Sequence, residues 1–144
     1  MIGDPAARAA QLNALLGRPY RAGAMGPEAF DCYGLARHLQ AALYGRELPL
    51  FQLPAEAGRF AVASAIAVHP ERRRWQNVFH AVDGAIAVMA RQECGFHLGT
   101  FVALDGGLIV HTIEQTGVVA ERPFQLAGPA GRWQLRYYVP GAEA

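Results

Sequence analysis

Lysine is absent from this 144-residue chain, whose 13 basic residues are all arginine. Schiff-base, P-loop and Ser-Lys chemistries each need a lysine, so all three are excluded. Serine occurs once, as Ser64 in the alanine-rich run AVASAIAVH, with no Gly-x-Ser-x-Gly elbow to sharpen it into a nucleophile. An excess of charge is lacking too: 13 basic against 12 acidic residues leave +1, so no net field draws the chain to nucleic acid or to an anionic membrane. No apolar run approaches the ~20 residues that cross a bilayer. The opening MIGDPAARAAQLNALLG has no basic stretch followed by an apolar run and a small-residue cleavage site, so synthesis in the cytoplasm without a signal peptide is expected. Cysteine is scarce as well, and Cys32 and Cys94 without a signal favour free thiols over a bridge. Covalent chemistry in such a chain falls to a thiol.

What is present reads as one domain over 1–144, long enough to bury a core without disulfides or metal. Asp4 as N-cap, Pro5 at the first helical position and Gly17 as stop frame an amphipathic helix with Ala6, Ala9, Leu12, Leu15 and Leu16 inward. The Gly- and Pro-punctuated GRPYRAGAMGPEAF is an ordered loop. Asp31 caps a second helix from Cys32 to Tyr44, whose Leu35, Leu39 and Leu43 share a face. A third helix is expected over Pro54 to Val68, then a short helical turn over ERRRWQNV. Beyond His80, the runs GAIAVMA, GFHLGTFVAL, GLIVHTI, GVVAERP and RWQLRYYV read as a meander of about five antiparallel strands. Helices first and strands second make an α+β fold with the helices packed on one sheet.

Cys32 follows the N-cap Asp31, where unpaired backbone N–H groups and the positive helix end favour a thiolate and offer an oxyanion hole. The competing reading is a small buried hydrophobe. Of five histidines, His38, His69 and His80 sit on an outer helix face, at a helix end and in a connector, where solvated or capping roles suffice. His97 and His111 fall inside strands, where an uncompensated ring is costly. Side chains alternate along a strand, so an odd-length loop around Leu104-Asp105-Gly106 puts the two rings on one face. With Ala103 and Gly107 closing it, His111 pairs with Gly99, a diagonal step from His97; a two-residue loop would separate the rings.

The run GRPYRAGAMGPEAFDCYGLARHLQAALYGRELP resembles the nucleophile segment of the NlpC family, papain-like cysteine peptidases of bacterial cell walls, in which Asp-Cys-x-Gly-Leu opens a helix. DGAIAVMA, FHLGTFVAL, GLIVH, GVVAERP and LRYYVP are similar to its strands, so the likeness runs from about Leu16 to Val139. It implies Cys32 as nucleophile, His97 as general base and His111 as the group orienting it. It also implies Tyr20 in the loop beside the nucleophile, polarising the scissile carbonyl, and Asp31 capping the helix and meeting a substrate amine. Tyr33 stands where serine is more usual and changes the cleft floor; Thr112 stands where alanine is more usual. The implied activity is hydrolysis of an amide in the peptide stem of peptidoglycan, between γ-D-glutamate and a diamino acid, without a cofactor; the residues themselves leave open the muramoyl–alanine amide as the bond and acyl transfer in place of hydrolysis. An aromatic after the cysteine and no signal peptide make the phage tail-tip and prophage members the most similar, with tail-tip proteins as partners and the cell wall as site of action.

Two other readings stay open. Cys94 lies three residues before His97, and with Cys32 and His111 could complete a zinc set, although the ligands lack paired spacing, so no metal is expected. The chain could also serve as a tail-assembly component whose cleft binds a peptide without cleaving it. Arg72, Arg73 and Arg74 form a dense basic patch that reads as a solvated turn, while Trp75 and Trp133 read as packing residues rather than sugar-stacking surfaces.

Overall fold

The computed structural model describes residues 4–49, 74–91, 95–128 and 133–141. Helix α1 spans Pro5–Leu15, capped by the Asp4 side chain, which accepts the Ala7 N–H at 2.8 Å. Its inward face is Arg8, Leu12 and Leu15, whereas Ala6 and Leu16 are exposed, so the expected apolar stripe is corrected at three places. Arg8 is tolerated inside because its guanidinium donates to Asp83 at 2.7 Å and to the Tyr44 hydroxyl at 2.6 Å. Helix α2 spans Cys32–Tyr44, from Asp31 to a left-handed Gly45. The third helix expected over 54–68 lies outside the described residues.

The sheet has six antiparallel strands, not about five. They are β1 Trp75–Val78, β2 Ile86–Arg91, β3 Gly95–Val102, β4 Leu108–Ile113, β5 Gly117–Glu121 and β6 Gln134–Pro140. The spatial order β1-β6-β2-β3-β4-β5 also breaks the expected meander, because β6 returns between β1 and β2. The extra strand is WQNV, expected as a helical turn. It pairs Trp75 with Pro140 through Val78 with Tyr137, giving the outer edge of β6 a hydrogen-bonded partner. Such pairing is nonlocal and overrides a short segment's own preference. A five-residue helix α3, Pro123–Ala127, follows β5.

Val102, Val110 and Val118 point to one face of the sheet and pack with Leu12, Leu15, Phe30, Leu35, Leu39 and Leu43 from the helical side. Ala87, Met89, Phe101 and Ile109 point to the other and pack with Leu126 of α3. The molecule is thus an α+β fold with its N-terminal helices on one antiparallel sheet. Between β3 and β4 the ladder runs from Val102↔Leu108 to Thr100↔Val110, the register of a three-residue loop. Asp105 and Gly106 both take positive φ there, at 50° and 84°, and the Gly107 N–H donates to the Leu104 carbonyl at 2.8 Å.

Candidate active site

The loop before α2 is built on backbone contacts that require its glycines. Gly17 and Arg18 exchange hydrogen bonds of 2.9 Å with Val118, tying the loop to β5. Tyr20 then bridges to Phe30, and the Asp31 N–H donates to the Ala24 carbonyl at 2.8 Å. Asp31 uses both carboxylate oxygens, one for the Gly34 N–H at 2.6 Å and the other for the Gly23 N–H at 3.0 Å. A Cβ on Gly34 would lie 2.2 Å from the Ala24 oxygen. The physical content of Asp-Cys-x-Gly is therefore a capped first turn against which a loop closes with no room for a side chain.

Cys32 occupies the first position of that turn, buried, with its sulfur against the backbone N–H of Leu98 on β3 and near those of Cys32 and Tyr33. The expected activated thiolate is corrected here. Burial pushes the thiol up to about 11, with the adjacent Asp31 carboxylate adding to it, and the three N–H groups only partly offset this. Burial thus works against the thiolate, and a base at the sulfur would favour it by taking the proton.

His97 follows Phe96 on the same strand that touches the sulfur and is half-buried. Its Nε2 lies 2.9 Å from His111 Nδ1, with the rings edge to face at a centroid distance of 5.1 Å. The β3–β4 ladder, continued one step, sets Gly99 opposite His111, and a Cβ at Gly99 would sit 2.7 Å from the Ile109 side chain. His111 is buried, and its Nε2 lies 2.8 Å from Glu121 Oε1. Burial lowers the His111 pKa, although Glu121 acts in the other direction. Trp133 stacks on His97 at 5.7 Å and 29°, restricting rotation of the ring. Its backbone N–H is held by the Leu126 carbonyl of α3 at 3.0 Å.

The structure thus brings His97 and His111 together across the β3–β4 pair and sets the Cys32 sulfur against the backbone of Leu98, the residue after His97. Tyr33 is employed differently: its hydroxyl donates to the Pro49 carbonyl at 2.8 Å, and its ring packs with Leu48, Trp75 and Tyr138. Tyr20 is fixed by its backbone beside Phe30, two residues before the thiol. His38 is half-buried against Phe30, not on a solvated face, and His80 is exposed. His69, Ser64, Cys94, Arg72 and Arg73 lie outside the described residues, and Arg74 is exposed.

Glu121 and Trp133 were not singled out as site residues from the sequence. Glu121 was findable by counting: His111 pairs with Val119, so Glu121, two residues on, shares its face. Trp133 carries no such signal, because its approach depends on the chain path after β5. For zinc, no group of three or more metal-ligating side chains occurs among the described residues. The two histidines direct nitrogens at each other and at Glu121, not at a common point. No helix among the described residues is long and apolar enough to cross a membrane.

No protein-family model and no curated protein matches the sequence. Among solved structures, the chain is similar to the NlpC/p60 domain of the peptidoglycan hydrolase SagA. The TM-score is 0.54 at 22% identity, covering 94% of this chain and 98% of that one. The fold is NlpC/p60-like.

Proposed function

We propose that this chain is a thiol hydrolase that cleaves an amide in the peptide stem of peptidoglycan, with Cys32 as nucleophile and His97 as its base. The observation that carries the reading is the hydrogen-bonded row His97–His111–Glu121, at 2.9 and 2.8 Å, which begins on the strand whose Leu98 N–H meets the Cys32 sulfur. Because His97 Nε2 is engaged with His111, proton exchange with the thiol falls to Nδ1. Cys32 attacks the carbonyl carbon while His97 takes the thiol proton, and the oxyanion is met by N–H groups at the start of α2 and by Tyr20. Collapse breaks the C–N bond, His97 protonates the leaving amine, and water activated by the same ring releases the acyl group. Asp31 has the charge to meet a substrate amine at the entrance.

The peptidoglycan stem as substrate is supported by the sequence resemblance and by the likeness to a domain of a peptidoglycan hydrolase. Within the stem, the γ-D-glutamyl–diamino acid bond is the proposed target, and delivery within a phage-tail-like particle is the proposed setting. Purified sacculi incubated with the protein should release muropeptides whose masses identify the bond cut. Cys32→Ala should abolish release, and Cys94→Ala should not. Equal loss in both variants together with stoichiometric zinc would favour the metal reading. An intact fold that binds stem peptides without releasing fragments would favour a binding component.

A further inference from the structure

Each hydrogen bond in the row His97–His111–Glu121 holds one proton, and a carboxylate is an acceptor only. With Glu121 at 2.8 Å, His111 Nε2 must therefore be the protonated nitrogen. In the neutral ring Nδ1 is then bare and accepts from His97 Nε2–H at 2.9 Å. A neutral His97 protonated at Nε2 keeps its lone pair on Nδ1, the nitrogen that must receive the thiol proton. We propose that Glu121 is a positioning residue that sets the tautomer of both rings, and so makes His97 a base toward Cys32.

This inference rests on the thiol-hydrolase reading, and it deepens that reading by one residue. The scaffold around Glu121 is suited to the task. Glu121 ends the edge strand β5, and the next residue, Arg122, bonds the Asp105 carboxylate at 2.8 Å and the Asp105 carbonyl, fastening β5 to the β3–β4 turn. His111 is only 2% exposed, so solvent supplies no ready substitute acceptor for its Nε2–H. Without a carboxylate there, the reverse chain becomes competitive. His111 would carry its proton on Nδ1 and donate to His97 Nε2, moving the His97 proton to the nitrogen that has to be bare. Burial keeps His111 neutral, which is the condition under which this choice exists.

The test uses the full chain labelled with 15N in histidine, as wild type, Glu121→Leu and Glu121→Gln. Leucine removes the acceptor at similar volume, whereas glutamine still offers an amide oxygen. Ring nitrogen shifts should report Nε2 protonation of both rings in the wild type and a move of the His111 proton to Nδ1 in Glu121→Leu. On soluble muropeptides, kcat of Glu121→Leu should fall by roughly 10- to 10⁴-fold, the upper figure being the loss when removal of an orienting carboxylate leaves a catalytic histidine in the wrong tautomer, with KM nearly unchanged. Glu121→Gln should restore the tautomers and most of kcat. Nδ1 protonation of His111 in the wild type, or a Leu variant that keeps the Nε2 tautomer or wild-type kcat, would overturn the proposal. If the wild type cleaves nothing, the hydrolase reading fails, and the ring shifts still decide whether Glu121 sets the tautomers.

Discussion

Asp31 serves two neighbours in opposite senses: its carboxylate organises the first turn of α2 through Gly34 and Gly23, and its charge raises the pKa of the thiol beside it. Asparagine keeps the cap on the Gly34 N–H without the charge, giving up the acceptor for the Gly23 N–H. In a Cys94→Ala background, Asp31→Asn should therefore bring the pH midpoint of Cys32 alkylation by iodoacetamide below about 11. The direction follows from the cause: a removed anion no longer disfavours the thiolate. Each pH unit by which the midpoint falls should raise the alkylation rate at pH 8 roughly threefold, because the gain in thiolate is partly offset by its lower nucleophilicity. An unchanged midpoint would show that burial alone sets the thiol. At this scale the sequence was informative about identity, since Cys32, His97 and His111 stand out by local context. It misled about charge state, because the helix-start argument carried no information on how deeply the sulfur is buried.

Among the elements, the start of α2 and the β3–β4 hairpin do most to assemble the site. Gly34 has a close approach to satisfy, and Gly34→Ala would force either the Ala24 carbonyl or the helix turn to move. Overpacking of this kind costs about 1–3 kcal/mol. Thermal unfolding should show that loss, and Cys32 should alkylate faster as the loop lifts from it; an unchanged melting temperature and alkylation rate would contradict the packing argument. The hairpin was legible in advance because Asp105-Gly106 is a strong turn signal and the odd loop length fixes which face each histidine takes. The strand WQNV was not legible, since only the edge of β6 gives it a partner.

For the molecule as a whole, Asp83 joins parts of the chain that are distant in sequence. Its Oδ1 accepts from Arg8 of α1, the Tyr44 hydroxyl of α2 and the Ala103 N–H at the end of β3, all within 2.8 Å. Burial alone would raise the Asp83 pKa, but the hydrogen bonds from Arg8, Ala103 and Tyr44 outweigh it and hold the carboxyl below its ordinary value. A depressed carboxylate stabilises the fold above its unfolded value of about 3.9, and that contribution is lost as pH falls through the lower folded value. Melting temperature measured from pH 6 down to pH 2 should therefore fall less steeply in Asp83→Asn than in the wild type. At pH 7, Arg8→Met should cost about 3 kcal/mol by leaving the carboxylate without its buried cation. Parallel acid profiles for wild type and Asp83→Asn would remove this group from the account.

The sequence by itself determined the two helices Pro5–Leu15 and Cys32–Tyr44, the α+β order, the odd hairpin loop and the meeting of His97 with His111 across it. All of these rest on caps, periodicity and turn chemistry, which act over a few residues. The tertiary structure alone decided the sixth strand and the insertion of β6, the burial that pushes the Cys32 thiol up, the ring of Trp133 over His97, and the carboxylate behind His111. Each depends on which distant backbone edges pair and on how much water the assembled chain excludes, and neither quantity is carried by local spacing.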